Sequence, residues 1–420
     1  MRLRRCAVLM LEPRERLDFD LALLSAGGSG LRTVVEWFAV APHRGDDVAL
    51  QVAEVVVLGA LSPSHWSGFD ELAALHPRDV LDGLLEKRLL VAEASDADRR
   101  DRVLRDTHWR TPSAAMHYAS RWHGVDTEAV ERQFGGTAAD DLLGHLGPPP
   151  PPVRERSPES ARQALPAAPR SPLDALLAQR VTCRNFDRTQ ALTLEQFSAV
   201  LYRSYGARAV DDYAPGVRLL KKAVPSAGGL HATEAYLLVQ RVDGIAAGLY
   251  HYHPVEHALE PIATLRAEET AALAKRFVAA QPYFVDAHVI VLPTSRFRRT
   301  FWKYRDHAKA YRALILDVGH LSQALYLAAT ELGLAAFITA AINEVDIEQA
   351  FGLDPLEEGP LAVCGFGIRA AECTEVEFDP LGTAWGTPRP GGRPHRLRTG
   401  PAPDARLETP YRTAQNGERV

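Results

Sequence analysis

The chain has 420 residues, 46% of them hydrophobic and 24% charged, enough for two or three domains with cores of their own. Forty-eight Lys+Arg against 53 Asp+Glu leave a net charge of −5, which excludes a general attraction to nucleic acid or anionic membrane. No run of about 18 apolar residues occurs, so a spanning helix is excluded too. The short apolar run Cys6–Leu11 is followed by Glu12, Arg14 and Glu15, the wrong flanks for a secretory signal, and a cytoplasmic chain is expected. Cys6, Cys183, Cys364 and Cys373 form no C-x-x-C pair, which suggests neither a disulfide framework nor a zinc site. Lysine is sparse, at positions 87, 221, 222, 275, 303 and 309 only.

In chain order, residues 1–147 carry 17 basic and 23 acidic residues. The early part alternates loosely, as a small sheet would. From Val52 the pattern turns helical: VAEVVVLGAL and FDELAAL read as helices, and RDVLDGLLEKRLLVAE as a helix running into a strand at Leu89–Val91. Three helices and a strand in this order resemble a winged-helix unit, with a small helical domain of no special type as the other reading. Its negative charge argues against DNA and for peptide docking or packing. Residues 148–172 hold nine prolines and read as a semi-rigid linker.

The larger domain, 173–378, mixes helices and strands without regular alternation, so its class is α+β. Helices are expected at Leu173–Gln179, Leu194–Ser204, Glu268–Gln281 and, most clearly, Ala313–Leu332, whose apolar residues recur at i+3 and i+4. Strands are expected at Ala235–Gln240, His288–Pro293 and Pro360–Gly367, with a hairpin over Gly248–His253 and Ala258–Ile262. Residues 379–420, rich in Gly, Pro and Arg, read as an extended or disordered tail.

Five stretches of this domain carry chemistry. In Arg180-Val181-Thr182-Cys183-Arg184, two guanidinium groups with a hydroxyl between them suit a phosphate, though a solvated Arg pair is the plainer alternative. Pro225-Ser226-Ala227-Gly228-Gly229 lets backbone N–H groups approach a flat or anionic ligand, or is simply a tight turn. Lys303-Tyr304 pairs an amine with a phenol, each able to lower the other's pKa and so act as a base, or is a solvated Lys beside a half-buried Tyr. Small residues around Thr339 and Ala340 suit contact with a planar ring or a buried strand, and Gly365-Phe366-Gly367-Ile368-Arg369 offers N–H groups and a charge. His251, His253 and His257 lack a local acidic or cysteine partner set, so no metal is expected.

Taken together, these motifs resemble the FMN-dependent nitroreductase superfamily, and within it the SagB-type azoline dehydrogenases of ribosomal-peptide maturation. RVTCRNF resembles the opening R-x-S-x-R-x-F element, with Thr182 in place of Ser, and PSAGGLH the PSAGG loop, with His231 where Tyr is more usual. Lys303-Tyr304 matches the Lys-Tyr pair that distinguishes the azoline dehydrogenases; GFGIR is the loosest match. The resemblance implies a nitroreductase-like fold, a mixed sheet with flanking helices, in a homodimer. It implies FMN held by Arg180, Thr182, Arg184, Pro225, Ser226, Ala227, Gly228, Gly229, Thr339, Ala340, Gly367 and Arg369, and Lys303 and Tyr304 as catalytic residues. The implied reaction is oxidation of a thiazoline or oxazoline to an azole, a proton leaving to the Lys-Tyr pair and a hydride to the flavin. A precursor peptide and a cyclodehydratase complex are the implied partners. An NAD(P)H-dependent nitro- or quinone reductase, or a non-catalytic scaffold that docks peptide, are the other functions open to it.

Overall fold

The computed structural model of the chain describes residues 1–133, 143–144, 146–169, 171–305 and 307–386. Its N-terminal third is built on two three-stranded sheets. The first joins β1 (Arg2–Arg5) to two strands introduced below; the second is formed by β2 (Met10–Phe19), β3 (Leu31–Val40) and β4 (Val48–Leu50), with the short helix α1 (Leu21–Ser25) at the hairpin tip. Then come α2 (Val52–Ala60), β5 (Ser67–Gly68), α3 (Phe69–Ala73), α4 (Arg78–Glu86) and β6 (Leu90–Ala92), and β5 and β6 flank β1. The helix, short helix and helix-into-strand expected from Val52 onward are all present. Leu3, Leu58, Leu81, Leu84 and Leu90 close a core among them. The next helices are α5 (Asp96–Asp106), α6 (Thr111–Ala119) and α7 (Thr127–Gln133).

Residues 148–169 are exposed and contain only a single 3₁₀ turn, Glu159–Ala161. Beyond them α8 (Pro172–Gln179) starts on a capping box between Ser171 and Asp174. There follow α9 (Leu194–Ser204), the hairpin β7 (Ala207–Ala214) and β8 (Val217–Lys222), β9 (Thr233–Val239), β10 (Gly248–His253), β11 (Ala258–Thr264) and α10 (Ala267–Phe277). The chain continues through β12 (Val289–Arg296), α11 (Phe297–Tyr304), α12 (Lys309–Glu331), β13 (Ala335–Thr339), α13 (Glu344–Phe351), β14 (Glu358–Pro360) and β15 (Val363–Gly367). The main sheet has the order β11-β10-β9-β12-β15-β13, with β14 paired to β12.

This is an α+β domain, as the mixed pattern of elements implies. The mixed sheet is a different matter: every ladder in it is antiparallel. Parallel pairing among the described residues is confined to isolated bridges, one of them between Thr182 and Ala336 of β13. Alternation along the central strands separates two cores. Leu237, Val239, Val289 and Val291 face α9 and α12, whereas Leu238, Ile290 and Leu292 face α10 and α13. No helix among the described residues is long and apolar enough to cross a membrane.

The N-terminal third does not stop at the linker. Its Trp109 lies 4.7 Å from the Phe297 ring and 4.8 Å from that of Phe301, and its indole N–H donates to the Leu356 carbonyl at 2.8 Å. Val8, Leu104 and Ala114 join Phe297, Phe301, Tyr311 and Leu314 in one buried cluster. Arg121 pairs with Glu348, and Arg100 with Asp354.

His117 completes this seam. Its Nε2 is 3.0 Å from the Pro355 carbonyl, which can only accept, so Nε2 carries the proton and Nδ1 accepts from the Tyr311 hydroxyl at 3.1 Å. Burial, with Arg121 adding to it, pushes its pKa from 6.5 down to about 3, against the Pro355 hydrogen bond. Between those values the unfolded chain binds a proton that the folded chain refuses. The contribution is therefore whole above pH 6.5 and is lost as pH falls toward 3. Denaturant unfolding across that range is expected to show an acid-side loss smaller by a few kcal/mol in His117→Gln than in the parent chain.

Candidate active site

Helix α12 organises the site from one buried acid. Asp317 is the only acidic residue between Ala310 and Thr330, and it is 5% exposed. It accepts from the Ser226 hydroxyl at 2.5 Å and from the Ala227 N–H at 3.1 Å. Ser226 Oγ in turn accepts from the His231 N–H at 3.0 Å. These bonds close the Pro225–His231 turn, in which Gly228 and Gly229 both take positive φ, +62° and +69°.

Lys303 and Tyr304, at the end of α11, meet this turn. A Cβ on Gly228 would stand 2.7 Å from Tyr304 Oη and 2.8 Å from Lys303 Nζ, so only glycine lets the two side chains come this close. Lys303 is exposed and Tyr304 half-buried. On the same helix, exposed Trp302 lines a cavity of about 480 Å³ with Leu219, Leu230, Arg296, Arg298 and Arg299. His231, at the far end of the turn, is neutral near pH 7: burial, then Lys222, Arg299 and Lys221, lower its pKa to about 4.

The opening motif lies farther along α12. Thr182 shares a 2.9 Å hydrogen bond with the Tyr326 hydroxyl, and the Arg180 guanidinium sits 5.4 Å from the Tyr326 ring centre. Tyr326 is nine residues beyond Asp317, about 14 Å along the helix axis. One helix thus holds the glycine turn at one point and the first arginine and threonine at another.

The Arg180 and Arg184 side chains have different partners in the structure. The Arg184 backbone N–H and the Arg369 guanidinium instead share a carboxylate. Glu377 accepts from the Arg184 N–H at 2.7 Å, the Asn185 amide at 2.8 Å and the Trp385 indole at 2.8 Å, and it pairs with the Arg369 guanidinium. Burial favours its neutral form, but these donors outweigh burial and hold its pKa below the usual carboxylate value. The Arg184 guanidinium donates to the Val376 carbonyl and lies 4.9 Å from the Tyr283 ring centre. The tail expected from residue 379 begins as a turn: Asp379 accepts from the N–H groups of Thr383, Ala384 and Trp385, and the Thr383 hydroxyl donates to Ala178 of α8. Beyond residue 386 that expectation falls outside the described residues.

Three remaining residues are placed differently. Thr339, at the end of β13, bonds Gln281 and receives the Ala341 N–H, while Ala340 is exposed. Gly367 is absorbed into the sheet opposite Ala335, where a Cβ would collide with the His288 ring at 2.3 Å. In that motif the charge is Arg369, which is paired with Glu377. His251 has the acidic neighbours its local sequence lacks, Glu260 at 2.6 Å and Glu234 at 3.6 Å on adjacent strands. Among the described residues no group of three or more His, Cys, Asp or Glu is arranged to hold a metal ion. Asp317, Asn185, Glu377 and Trp385 were not singled out by the sequence reading. Only Asp317, a lone acid in an otherwise apolar stretch, carried a signal there.

The donors fit an anionic guest. One guanidinium group, a backbone N–H, an amide and an indole N–H already surround an oxyanion, and the space above Gly229 is open, with no atom beyond its chain neighbours within 4 Å of where its Cβ would be. Residues 177–368 match the Nitroreductase family. The trifolitoxin-processing protein TfxB of Rhizobium leguminosarum bv. trifolii is 33% identical over 178 residues, covering 41% of this chain and 46% of TfxB. The microcin B17-processing protein McbC of Escherichia coli is 25% identical over 192 residues, 44% of this chain and 65% of McbC. The chain thus spans about half of the one relative and under two thirds of the other. A chain of the E. coli microcin synthetase McbBCD complex with truncated pro-MccB17 bound aligns over 64% of this chain and 97% of its own length, at 21% identity and a TM-score of 0.44.

Proposed function

We propose that the chain is an FMN-dependent dehydrogenase that oxidises azoline rings to azoles in a ribosomally made peptide. The observation that carries this reading is the meeting of Lys303 Nζ and Tyr304 Oη over Gly228, a pair of proton-handling groups set against a glycine turn that leaves room for a flat ligand. The names of TfxB and McbC, each given for the processing of a toxin or microcin, support a peptide as substrate.

FMN, when bound, supplies the two-electron acceptor for the hydride that leaves the ring carbon. Arg184 and Arg369 would hold its phosphate, Arg180 and Thr182 its polyol chain, and the Ser226–Gly229 turn, with Thr339 and Ala340, the ring system. The Lys303/Tyr304 couple takes the proton lost from the azoline, so that one proton and one hydride leave together as the double bond forms. Asp317 keeps the turn closed, and Gly228 gives the couple its position. The cavity beside Trp302 receives the peptide chain that flanks the ring. A second copy of this chain pairs through the α12 face that carries the exposed Ile315 and Leu316, with a cyclodehydratase complex as the supplier of cyclised peptide. The N-terminal winged-helix-like unit of residues 1–147 docks that peptide, and the proline-rich segment 148–172 sets its reach.

The test is an anaerobic titration of the FMN-loaded full chain with a peptide bearing one thiazoline. One equivalent is expected to bleach the oxidised flavin and yield a peptide lighter by two hydrogens. A chain that takes up no FMN, or whose flavin is bleached by NAD(P)H but not by the peptide, overturns the proposal; the second result points to a nitro- or quinone reductase.

A further inference from the structure

The cavity of about 480 Å³ beside Trp302 carries positive charge that its own lining leaves unpaired. Arg298 and Arg299 both line it, and neither forms an ion pair with a carboxylate among the described residues. Arg299 bonds only main-chain carbonyls, those of Leu230 at 2.6 Å and Arg218 at 3.1 Å, and has further N–H groups unspent. Arg298 is exposed and makes no hydrogen bond among the described residues. The other two arginines of the lining are engaged, Arg218 with Asp212 and Arg296 with Glu234. Its two acids, Glu357 and Glu358, pair with none of them; burial raises the Glu358 pKa, and its carboxylate accepts from the Thr294 hydroxyl at 2.7 Å.

Further bases crowd around Arg299. Lys222 is 3% exposed, and its amine has no hydrogen-bond partner among the described residues. Burial lowers its pKa; Glu234 opposes that, and Arg296 and Arg299 add to it. Arg299 is lowered in the same way, by burial and then by Arg296, against Glu234. Glu234 is thus the carboxylate set against both, and Arg296 already holds it at 2.8 Å. A carboxylate brought into the cavity relieves this repulsion and gains charge-assisted hydrogen bonds. Spacing relates the cavity to the reactive couple. Arg299 and Lys303 are four apart on α11, so their Cβ atoms stand about 5–6 Å apart on one face. An extended peptide advances about 3.3–3.6 Å per residue, which puts a group bound at Arg299 one or two residues from a ring held at Lys303.

We propose that this cavity is a specificity site for an acidic residue of the peptide, one or two positions from the azoline, whose carboxylate is bound by Arg298 and Arg299 while its stem lies against Trp302. The placing of that residue beside the ring rests on the dehydrogenase reading given above; the cavity's demand for an anion does not. Arg298 is exposed and Arg299 is partly so, so the attraction also draws the peptide in and weakens as salt rises.

The experiment uses the FMN-loaded full chain and fluorescein-labelled peptides that carry one thiazole, the unreactive product ring. Glu, Gln or Lys is placed in turn at each of the two positions on either side of the ring, and binding is read by fluorescence anisotropy. At the position that reaches the cavity, Glu is expected to bind about tenfold more tightly than Gln, and Lys more weakly still. In the parent chain that preference is expected to shrink with added salt. Arg298→Glu is expected to erase or reverse it, and because the readout is a ratio between peptides on one protein, a general loss of folded chain cancels. Peptides that bind within about twofold of one another at every position, or a Glu preference that Arg298→Glu leaves intact, overturn the inference; bleaching of the flavin by the matching thiazoline peptide then keeps the dehydrogenase reading standing. A Glu preference lost in Arg298→Glu, with no bleaching by any thiazoline peptide, overturns that reading instead and leaves an acidic-peptide site.

Discussion

Lys303→Ala is expected to lower turnover of a thiazoline peptide by about 10²- to 10⁴-fold, the usual size of a lost acid–base group. FMN content and unfolding midpoint are expected to stay at parental values, because the Lys303 side chain is exposed and is placed at the glycine turn rather than at the arginines. Tyr304→Phe is the sharper probe. It keeps the half-buried ring and removes only the hydroxyl that approaches Gly228, so a comparable loss isolates proton handling from packing. Single-turnover flavin reduction is the measurement. Variants that both stay within about threefold of the parent would remove the couple from the chemistry.

Trp109→Ala is expected to have the largest effect on stability. The side chain is 7% exposed and contacts Phe297, Phe301, His117 and Tyr311. Truncating a core tryptophan costs about 3–5 kcal/mol, and the Leu356 carbonyl loses its donor as well. Phe297 and Phe301 are the buried face of α11, the helix that ends in Lys303 and Tyr304. The substitution is therefore expected to reduce turnover even under conditions where the chain stays folded and FMN remains bound. Trp109→Phe restores much of the ring packing and should recover part of both losses. Leu165→Ala, at a site 86% exposed, is the control and should lie within about 0.5 kcal/mol of the parent. Equal denaturant midpoints for Trp109→Ala and Leu165→Ala would show that the seam does not stabilise the chain.

What the sequence made legible divides along physical lines. The i+3 and i+4 recurrence along Ala313–Leu332 marks α12, observed as Lys309–Glu331, because a long helix packed on a sheet must keep one continuous apolar stripe. Short apolar runs bounded by turn residues mark β9 and β12 for the same kind of reason. The hairpin β7–β8 was not visible: most of its residues are exposed, so no burial pattern is imposed on them. The expected strand Pro360–Gly367 is broken near its start, at Leu361 and Ala362, between pairing with Thr294–Arg296 and pairing with Val289–Val291 of the same strand β12.

In the site, glycine and lysine–tyrosine chemistry is local and can be read from adjacent residues. The arginine pairing is not. The Arg184 N–H and the Arg369 guanidinium reach one carboxylate beside an isolated bridge between Phe186 and Arg369, and that carboxylate, Glu377, comes from a segment whose composition says only that it lacks a core. The Trp109 seam was hidden for a related reason. An aromatic residue in a mostly polar helical region gives no hint that its neighbours lie on the far side of a proline-rich connector.

That seam also bears on how the protein is made. His117 must wait for Tyr311, 194 residues downstream, and at about 5–20 residues per second a ribosome needs on the order of 10–40 s to supply it. Through that interval the nascent N-terminal third presents an unpaired indole and imidazole to solvent. Chaperone demand and misassembly during synthesis should therefore track the emergence of α11 and α12 from the exit tunnel, not completion of the first third.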